Sequence, residues 1–218
     1  MTSWRSNTGQ GENCLLRTYV RGEVVVVYKT KEDFGGLSNM ASGFPLQING
    51  VRILTTEALY QACRFPHLPE VQREIIGQHS PMTAKMKSKP HRKDSRPDWD
   101  DVRYKIMRWC LRVKLAQNYE EFGRLLLATR DRPIVEQSRK DDYWGAKLAD
   151  ESGYTLIGQN VLGRLLMELR EKLKDDAEGV LKTVPPLGIP DFLLLGKPIE
   201  MVTAINSGNG QKRQPALF

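Results

Sequence analysis

The sequence predicts a mainly helical α+β fold with a small β element near its N-terminus. Several long segments repeat apolar residues at helical spacing, whereas one β-branched run and one Asn-Gly turn indicate strands. The 218 residues are 40% hydrophobic and 27% charged, as in an ordinary globular protein. Such a chain can bury a substantial core. We therefore expect one domain over 21–175, with a polar segment 1–20, a packed appendage 176–206 and a flexible tail 207–218.

The strand signals lie between residues 24 and 54. Four valines and a tyrosine form the run 24–28, the best strand candidate in the chain. Farther along, Asn49-Gly50 separates two short apolar runs, 45–48 and 51–54. Because Asn-Gly readily adopts the positive φ angles of a tight turn, these runs predict a β-hairpin.

Six segments carry helix signals, which are hydroxyl caps, prolines at first helical positions and apolar residues three or four apart. Thr55 or Thr56 can cap the first helix, and Ser80-Pro81 repeats a cap-and-proline start. The expected helices cover 55–65, a segment from 69, a segment from 80, 98–117, 119–128 and 161–174, and 133–137 is a candidate strand.

Several protein classes are excluded by what the chain lacks. It has no apolar run of membrane-spanning length and no hydrophobic signal core at the N-terminus, so we expect a soluble protein that is not exported. Its three cysteines are widely spaced, which fits a reducing cytoplasm. Dinucleotide, P-loop, zincin and hydrolase-elbow motifs are absent, and the three histidines have no metal-ligand spacing. We expect neither a metal nor a cofactor.

The positive charge of the chain is concentrated in one segment. Residues 85–114 hold eleven Lys and Arg against four Asp, a net +7 that equals the net charge of the whole chain. Such a segment can attract a polyanion, either a nucleic-acid backbone or a pyrophosphate-bearing ligand. It can also be the solvated face of ordinary surface helices.

The helix after the hairpin has a polar face that could form the wall of a cleft. Glu57, Tyr60, Gln61 and Arg64 share that face, whereas the opposite face is apolar. Glu57 lies in the first turn, where the helix dipole favours its ionised form. An ionised carboxylate suits the stabilisation of a cation, although a glutamate in a first turn can also be a simple partner of the dipole.

Two further clusters fit a polar cleft. Residues 141–145, Asp-Asp-Tyr-Trp-Gly, combine carboxylates and aromatic surfaces with a glycine that permits close approach. Residues 158–160, Gly-Gln-Asn, open the last helix with amide groups. Trp99, near the start of the long helix, is a core aromatic that could border the same pocket.

Taken together, these motifs resemble the NADAR domain family over residues 24–172. The resemblance is carried, in family order, by Leu-Ser-Asn-Met at 37–40, Thr-Thr-Glu-Ala-Leu-Tyr-Gln-Ala-Cys-Arg-Phe at 55–65, Ser-Pro-Met at 80–82, Arg-Pro-Asp-Trp at 96–99, Leu-Leu-Leu-Ala-Thr at 125–129, Asp-Tyr-Trp-Gly at 142–145 and the segment from Gly158 to Met167. The chain departs from the family in having Ala58, Arg64 and a longer stretch at 146–155.

The resemblance implies an N-glycosidase that acts on ribosides through an oxocarbenium-like state, with Glu57 stabilising the positive charge. Asp142, Trp144 and Asn160 would line the ribose and phosphate pocket, and Arg64 and Arg96 could bind phosphates. The full set of implied site residues comprises Glu57 and Asp142 as catalytic groups and Ser38, Asn39, Tyr60, Gln61, Arg64, Trp99, Trp144, Gly145 and Asn160 as substrate-binding groups.

Family members divide into two substrate branches, and the charge of residues 85–114 favours one of them. One branch removes ADP-ribose from guanine in DNA, reversing a partner ADP-ribosyltransferase toxin; the other hydrolyses phosphorylated ribosylamino-pyrimidine intermediates of riboflavin synthesis. DNA benefits most from a basic anchor, so we expect the first branch. The candidate backbone contacts are Lys85, Lys87, Lys89, Arg92, Lys93 and Arg96. A non-catalytic module that binds ADP-ribose or NAD is the third reading.

Overall fold

The computed structural model describes residues 16–205, which form a mixed α/β fold. Its α-helices are α1 Thr56–Ala62, α2 Pro69–Ile76, α3 Pro81–Ser88, α4 Trp99–Gln117, α5 Tyr119–Ala128 and α6 Val161–Lys174. The first seven strands are β1 Arg17–Val20, β2 Val25–Val27, β3 Leu46–Ile48, β4 Val51–Ile53, β5 Ile134–Glu136, β6 Lys147–Leu148 and β7 Thr155–Gly158. Four two-residue strands follow: β8 Thr183–Val184, β9 Leu193–Leu194, β10 Lys197–Pro198 and β11 Val202–Thr203.

The predicted fold class is confirmed, and the helix starts follow the capping signals of the sequence. Thr55 caps α1 by accepting a hydrogen bond from the backbone N–H of Ala58 at 3.2 Å. Ser80 caps α3, and prolines occupy the first turns of α2 and α3. The long helix α4 buries the stripe that includes Val102, Ile106 and Cys110, and it packs against α1, α5 and α6. This places α4 at the centre of the core.

The two predicted strand elements also form. β3 and β4 pair as an antiparallel hairpin, whose turn residues Asn49 and Gly50 have φ angles of 50° and 78°. β2 pairs in parallel with β5, and Val27 lies opposite Glu136 in this register. The parallel pair brings the end of β5 beside the loop that follows β2.

A three-stranded antiparallel sheet, in the order β1-β7-β6, was not predicted. Arg17 pairs with Gly158 and Val20 with Thr155, so the end of the expected polar segment 1–20 belongs to this sheet. The stretch 146–155 folds largely into the β6–β7 hairpin. Residues 1–15, which include Cys14, lie outside the described part of the chain, and the remaining two cysteines are buried free thiols.

Residues 180–205 pack against the helices. The indole N–H of Trp109 on α4 donates to the carbonyl of Pro185 at 2.9 Å, and the amide of Gln72 on α2 bonds the backbone of Leu193 and Leu195. The expected domain boundaries stay predictions, and the expected tail 207–218 lies outside the described residues. Between residues 16 and 205, no helix is long and apolar enough to span a membrane.

Candidate active site

A polar cavity of about 320 Å³ opens where the loop after β2, helices α1, α3 and α4, and the segment after β5 meet. Nine of the eleven residues that the sequence proposed as catalytic or substrate-binding groups line it. They are Ser38, Asn39, Glu57, Tyr60, Gln61, Arg64, Trp99, Trp144 and Gly145. The cavity therefore gathers side chains that are far apart in the sequence.

Glu57 is buried in the wall of this cavity, with 5% of its surface exposed. Its Oε1 accepts a hydrogen bond from Nε2 of Gln61 at 2.9 Å and lies 4.0 Å from Nζ of Lys85. Its backbone N–H donates to the carbonyl of Asn39, which fixes the start of α1 against the preceding loop. Glu57 is thus held by neighbours on three chain segments.

The electrostatics of Glu57 differ from the sequence-based expectation. The dipole of α1 was expected to favour the ionised form, but burial raises the pKa of Glu57, because the charged carboxylate loses its water shell. Lys85 and the hydrogen bond from Gln61 act in the opposite direction and are weaker than the burial effect. Gln61 and Lys85 thus stabilise the ionised carboxylate of Glu57 in the cavity wall.

A second carboxylate in the cavity, Glu136, was missed by the sequence analysis. It ends β5, and its Oε1 accepts a hydrogen bond from the Ser38 hydroxyl at 3.1 Å. Its Oε2 is buried without a hydrogen-bond partner among the described residues. Burial raises the pKa of Glu136 to about 7. The available signal was an acid directly after the apolar pair Ile134-Val135, at the end of a strand.

The cluster 141–145 reaches the cavity through a different aspartate from the one predicted. Asp141 lines the cavity, and its Oδ1 accepts hydrogen bonds from the backbone N–H groups of Tyr143 and Trp144. Asp142, the predicted catalytic residue, does not line it. Its side chain is 48% exposed and forms a 2.5 Å ion pair with Lys147. The tight turn built by Asp141 points its neighbour towards β6, so Asp142 lies outside the cavity, and its catalytic role stays a prediction.

Asn160 does not line the cavity either. Its side chain is fully buried, where Oδ1 accepts from the backbone N–H of Glu136 at 3.0 Å and Nδ2 donates to the carbonyl of Ile134 at 2.8 Å. Both hydrogen bonds go to the backbone of β5, so Asn160 positions Glu136, and its role in substrate binding stays a prediction. Gly145 has the close approach that was expected, since a Cβ there would lie 2.4 Å from the Glu136 carbonyl oxygen.

Aromatic rings form one continuous wall. The ring centroid of Tyr60 lies 5.3 Å from that of Trp99 and 5.7 Å from that of Trp144, and Tyr143 stands edge-on to Trp144 at 4.9 Å. Trp99 is therefore both a core aromatic and a cavity residue. Such a wall suits a planar heterocycle.

Four cations line the cavity: Lys85, Arg64, Arg92 and Arg103. The guanidinium of Arg64 lies 4.6 Å from the ring of Trp99, and that of Arg103 lies 4.1 Å from the ring of Tyr143. Nε of Arg64 also donates to the Ser95 hydroxyl at 2.8 Å. Guanidinium groups held in this way are well placed to bind phosphate oxygens.

The basic segment 85–114 is not one continuous surface, which corrects part of the predicted nucleic-acid interface. Arg96 is 4% exposed, and its guanidinium donates hydrogen bonds to the Asp98 carboxylate and to the carbonyl of Pro190. Lys87 pairs with Glu74 at 2.7 Å. Lys114 is fully buried and donates to the backbone carbonyls of Gly36 and Ser38. Lys85 and Arg92 line the cavity, and the exposed candidates outside it are Lys87, which is paired with Glu74, and Lys89 and Lys93.

Within the described range 16–205, no group of three or more His, Cys, Asp or Glu side chains is arranged to hold a metal ion. The chemistry of the cavity is carried by carboxylates, amides, aromatic rings and cations.

Known proteins share this fold and much of this sequence. The chain is 38% identical over 159 residues to the N-glycosidase YbiA of Escherichia coli strain K12, covering 72% of this chain and 93% of that protein. An N-glycosidase of Nostoc punctiforme is 29% identical over 153 residues, covering 69% of this chain and 93% of the relative. A riboflavin biosynthesis protein of Vibrio vulnificus is 30% identical over 164 residues, covering 74% of this chain and 42% of that protein.

A solved structure agrees with these relatives. The NMR structure of E. coli YbiA superposes with a TM-score of 0.58 at 33% identity, covering 72% of this chain and 91% of that one. The predicted class, a hydrolase that acts on N-glycosyl bonds, is confirmed at that level. The NADAR domain model matches residues 26–174, and the chain belongs to the NADAR domain family.

Proposed function

We propose that this protein hydrolyses the N-glycosidic bond between ADP-ribose and guanine in DNA, reversing the action of an ADP-ribosyltransferase toxin. The observation that carries the proposal is a buried carboxylate, Glu57, in a cavity that also offers an aromatic wall and four cations. A riboside with phosphate groups matches each of these features. The ribose carbon lies beside the carboxylate, the base lies against the rings, and the phosphates contact the guanidinium groups.

Glu57 supports the chemistry by electrostatic stabilisation. As the bond from the anomeric carbon to nitrogen lengthens, positive charge develops on the ribose, and a carboxylate beside the ring stabilises that charge. Gln61 and Lys85 hold Glu57 in place from two sides. Because the group is already oriented and dehydrated, little reorganisation is needed in the transition state.

The number of cations supports a pyrophosphate-bearing substrate. One phosphate can be bound by a single arginine, whereas this cavity is lined by Arg64, Arg92, Arg103 and Lys85. A cavity of about 320 Å³ is too small to enclose both an ADP-ribose and a guanine nucleotide. Part of such a substrate must lie outside the cavity, beside the 3₁₀ segment Lys89–Asp94, which contains the cavity residue Arg92.

The decisive experiment is incubation of the purified protein with DNA that carries ADP-ribosylated guanine, followed by mass analysis of the products. Release of ADP-ribose with restoration of unmodified guanine supports the proposal. No release, under conditions where phosphorylated ribosylamino-pyrimidines are hydrolysed, contradicts the DNA substrate and supports the second candidate.

That second candidate is hydrolysis of phosphorylated ribosylamino-pyrimidine intermediates of riboflavin synthesis. The specific observation in its favour is the relationship to proteins named for riboflavin biosynthesis, from Vibrio vulnificus and from Zea mays. A ribosylamino-pyrimidine phosphate is smaller than an ADP-ribosylated guanine nucleotide, so it requires less of the space outside the cavity of about 320 Å³.

The exposed lysines beside the cavity provide a test of the DNA part of the proposal. In a Lys89→Gln/Lys93→Gln variant, we expect weaker DNA binding and a plot of log affinity against log salt that is shallower by about 2, since each lysine that releases one counterion contributes roughly 0.9. Turnover of an ADP-ribosylated mononucleoside should change less than about twofold, because neither lysine lines the cavity.

The matched control is Lys105→Gln/Lys197→Gln, which removes the same charge from exposed positions outside 85–96. Both variants are titrated with fluorescent DNA at several salt concentrations. An equal loss of DNA affinity in the two variants would show that the effect comes from net charge and not from a local anchor.

A further inference from the structure

We propose that Glu136 is a second catalytic residue, the general acid that protonates the departing nitrogen, while Glu57 stabilises the ribose cation. This inference rests on the proposed N-glycosidase function. It begins from geometry: two carboxylates from different parts of the chain, one on α1 and one at the end of β5, face the same cavity. Glycosidases commonly need two carboxyl groups with different protonation states.

The surroundings of the two carboxylates separate their roles. Glu57 accepts an amide N–H from Gln61 and lies 4.0 Å from the Lys85 ammonium, and both contacts favour a negative charge. Glu136 forms no ion pair with any residue in the described range, and only the Ser38 hydroxyl donates to it. Its Oε2 has no hydrogen-bond partner among the described residues, so no other side chain there competes for a proton on this carboxyl group.

Burial and the charged groups around Glu136 together place its pKa close to neutral pH. Burial is the dominant effect and raises its pKa, as does Glu57 on α1, whereas the Ser38 hydrogen bond, Lys114 on α4 and Lys85 on α3 lower it. The net pKa is about 7. Lys114 donates to two backbone carbonyls instead of to Glu136, and burial lowers the Lys114 pKa to about 7. Asp141 is a further acid lining the cavity. A group that is partly protonated at pH 7 suits general acid catalysis.

The proposed step balances as a hydrolysis. The bond from the anomeric carbon to nitrogen breaks with both electrons going to nitrogen, and the proton on the Glu136 carboxyl group transfers to that nitrogen. Water then adds to the anomeric carbon and loses its proton to the Glu57 carboxylate. Exchange with solvent returns Glu136 to its protonated form and Glu57 to its ionised form. The products are the free base amine and the ribose with a hydroxyl group.

The backbone around Glu136 keeps this carboxyl group in place. The backbone N–H of Glu136 donates a hydrogen bond to Oδ1 of Asn160, and the Ala146 N–H donates to the Glu136 carbonyl at 2.8 Å. These bonds do not involve the side chain. A Glu136→Gln variant therefore preserves shape and backbone contacts while removing only the transferable proton.

The test compares Glu136→Gln and Glu57→Gln on two substrates with the same ADP-ribose, namely ADP-ribosylated guanosine and NAD. Guanine leaves as a poor leaving group that needs a proton, whereas the nicotinamide of NAD leaves as a neutral pyridine. We expect Glu136→Gln to lower kcat on the guanosine substrate by about 10² to 10⁴ and to change NAD hydrolysis by less than about threefold. Glu57→Gln should impair both reactions.

A pH profile provides a second readout that does not depend on NAD turnover. For the unmodified protein, kcat on the guanosine substrate should fall as pH rises through about 7, because Glu136 loses the proton that it must donate. Glu136→Gln should abolish this decline, and Glu57→Gln should retain it at a lower rate. Folding of each variant is verified by its thermal unfolding.

The outcomes separate the two proposals. If the unmodified protein hydrolyses neither a guanine-linked nor a pyrimidine-linked riboside, the proposed function fails. If it is active and Glu136→Gln keeps full activity, or keeps the decline above pH 7, Glu136 is not the acid. Equal impairment of both leaving groups in a folded Glu136→Gln protein would likewise overturn this assignment.

Discussion

Substitution of Glu57 by Gln should lower kcat about a thousandfold and leave substrate affinity within a few-fold of that of the unmodified protein. A carboxylate about 4 Å from the developing cation contributes on the order of 4 kcal/mol at an effective dielectric near 20, and each 1.36 kcal/mol is about tenfold in rate. Gln keeps the size of the side chain and its place in the buried wall but carries no charge. The loss should therefore fall on the transition state and not on binding.

The measurement is single-turnover kinetics beside calorimetric binding of ADP-ribose. The control is Glu121→Gln, which neutralises an exposed acid on α5 that does not line the cavity. A folded Glu57→Gln protein with undiminished turnover would contradict the proposed mechanism. If the protein is instead a non-catalytic module that binds ADP-ribose or NAD, the unmodified protein and the Glu57→Gln variant should both bind the ligand and neither should turn it over.

Substitution of Asn160 by Ala should destabilise the protein by about 3 to 5 kcal/mol. The Asn160 side chain supplies one hydrogen-bond partner to each of two buried backbone groups, the N–H of Glu136 and the carbonyl of Ile134. The substitution removes both hydrogen bonds, and each backbone group left without a partner costs about 1 to 3 kcal/mol. The backbone adds to the cost, because Asn160 has a φ of 50°, in the left-handed region that asparagine tolerates better than alanine. We expect the lower free energy of unfolding to appear as a lower urea midpoint.

Asn160→Gly is the matched variant that separates the two contributions. Glycine adopts a positive φ without strain, so it should recover about 1 kcal/mol relative to alanine while leaving both backbone groups without partners. A loss below about 1 kcal/mol for Asn160→Ala would show that water or a backbone shift replaces the side-chain bonds.

Much of the local structure could be predicted from the sequence, because it is encoded by neighbouring residues. The Thr55 cap determines where α1 begins, and the Asn49-Gly50 turn determines the hairpin. Both act on residues nearby in the sequence, so they do not depend on the rest of the fold. The polar face of α1 was predictable for the same reason. Helical periodicity places Glu57, Tyr60 and Gln61 on one side wherever the helix lies, whereas Arg64 follows the end of α1 at Ala62.

The parts that could not be predicted depend on contacts between distant segments. Glu136 faces the cavity only because β5 pairs in parallel with β2, and periodicity cannot show that pairing. Asp141 and Asp142 are adjacent acids, and only the tight turn decides which of them faces inward. Charge counting failed for a similar reason, because a sum over the sequence does not distinguish the buried Lys114 from the exposed Lys93.

The parallel pairing of β2 with β5 also has a consequence for synthesis of the protein on the ribosome. The first strand of this pair and Glu57 are translated early, but their partner strand and the Trp144 side of the cavity emerge only after α5 is complete. Non-local parallel pairing is a late event in folding. A nascent chain stalled before residue 134 therefore lacks one side of the cavity and should be inactive.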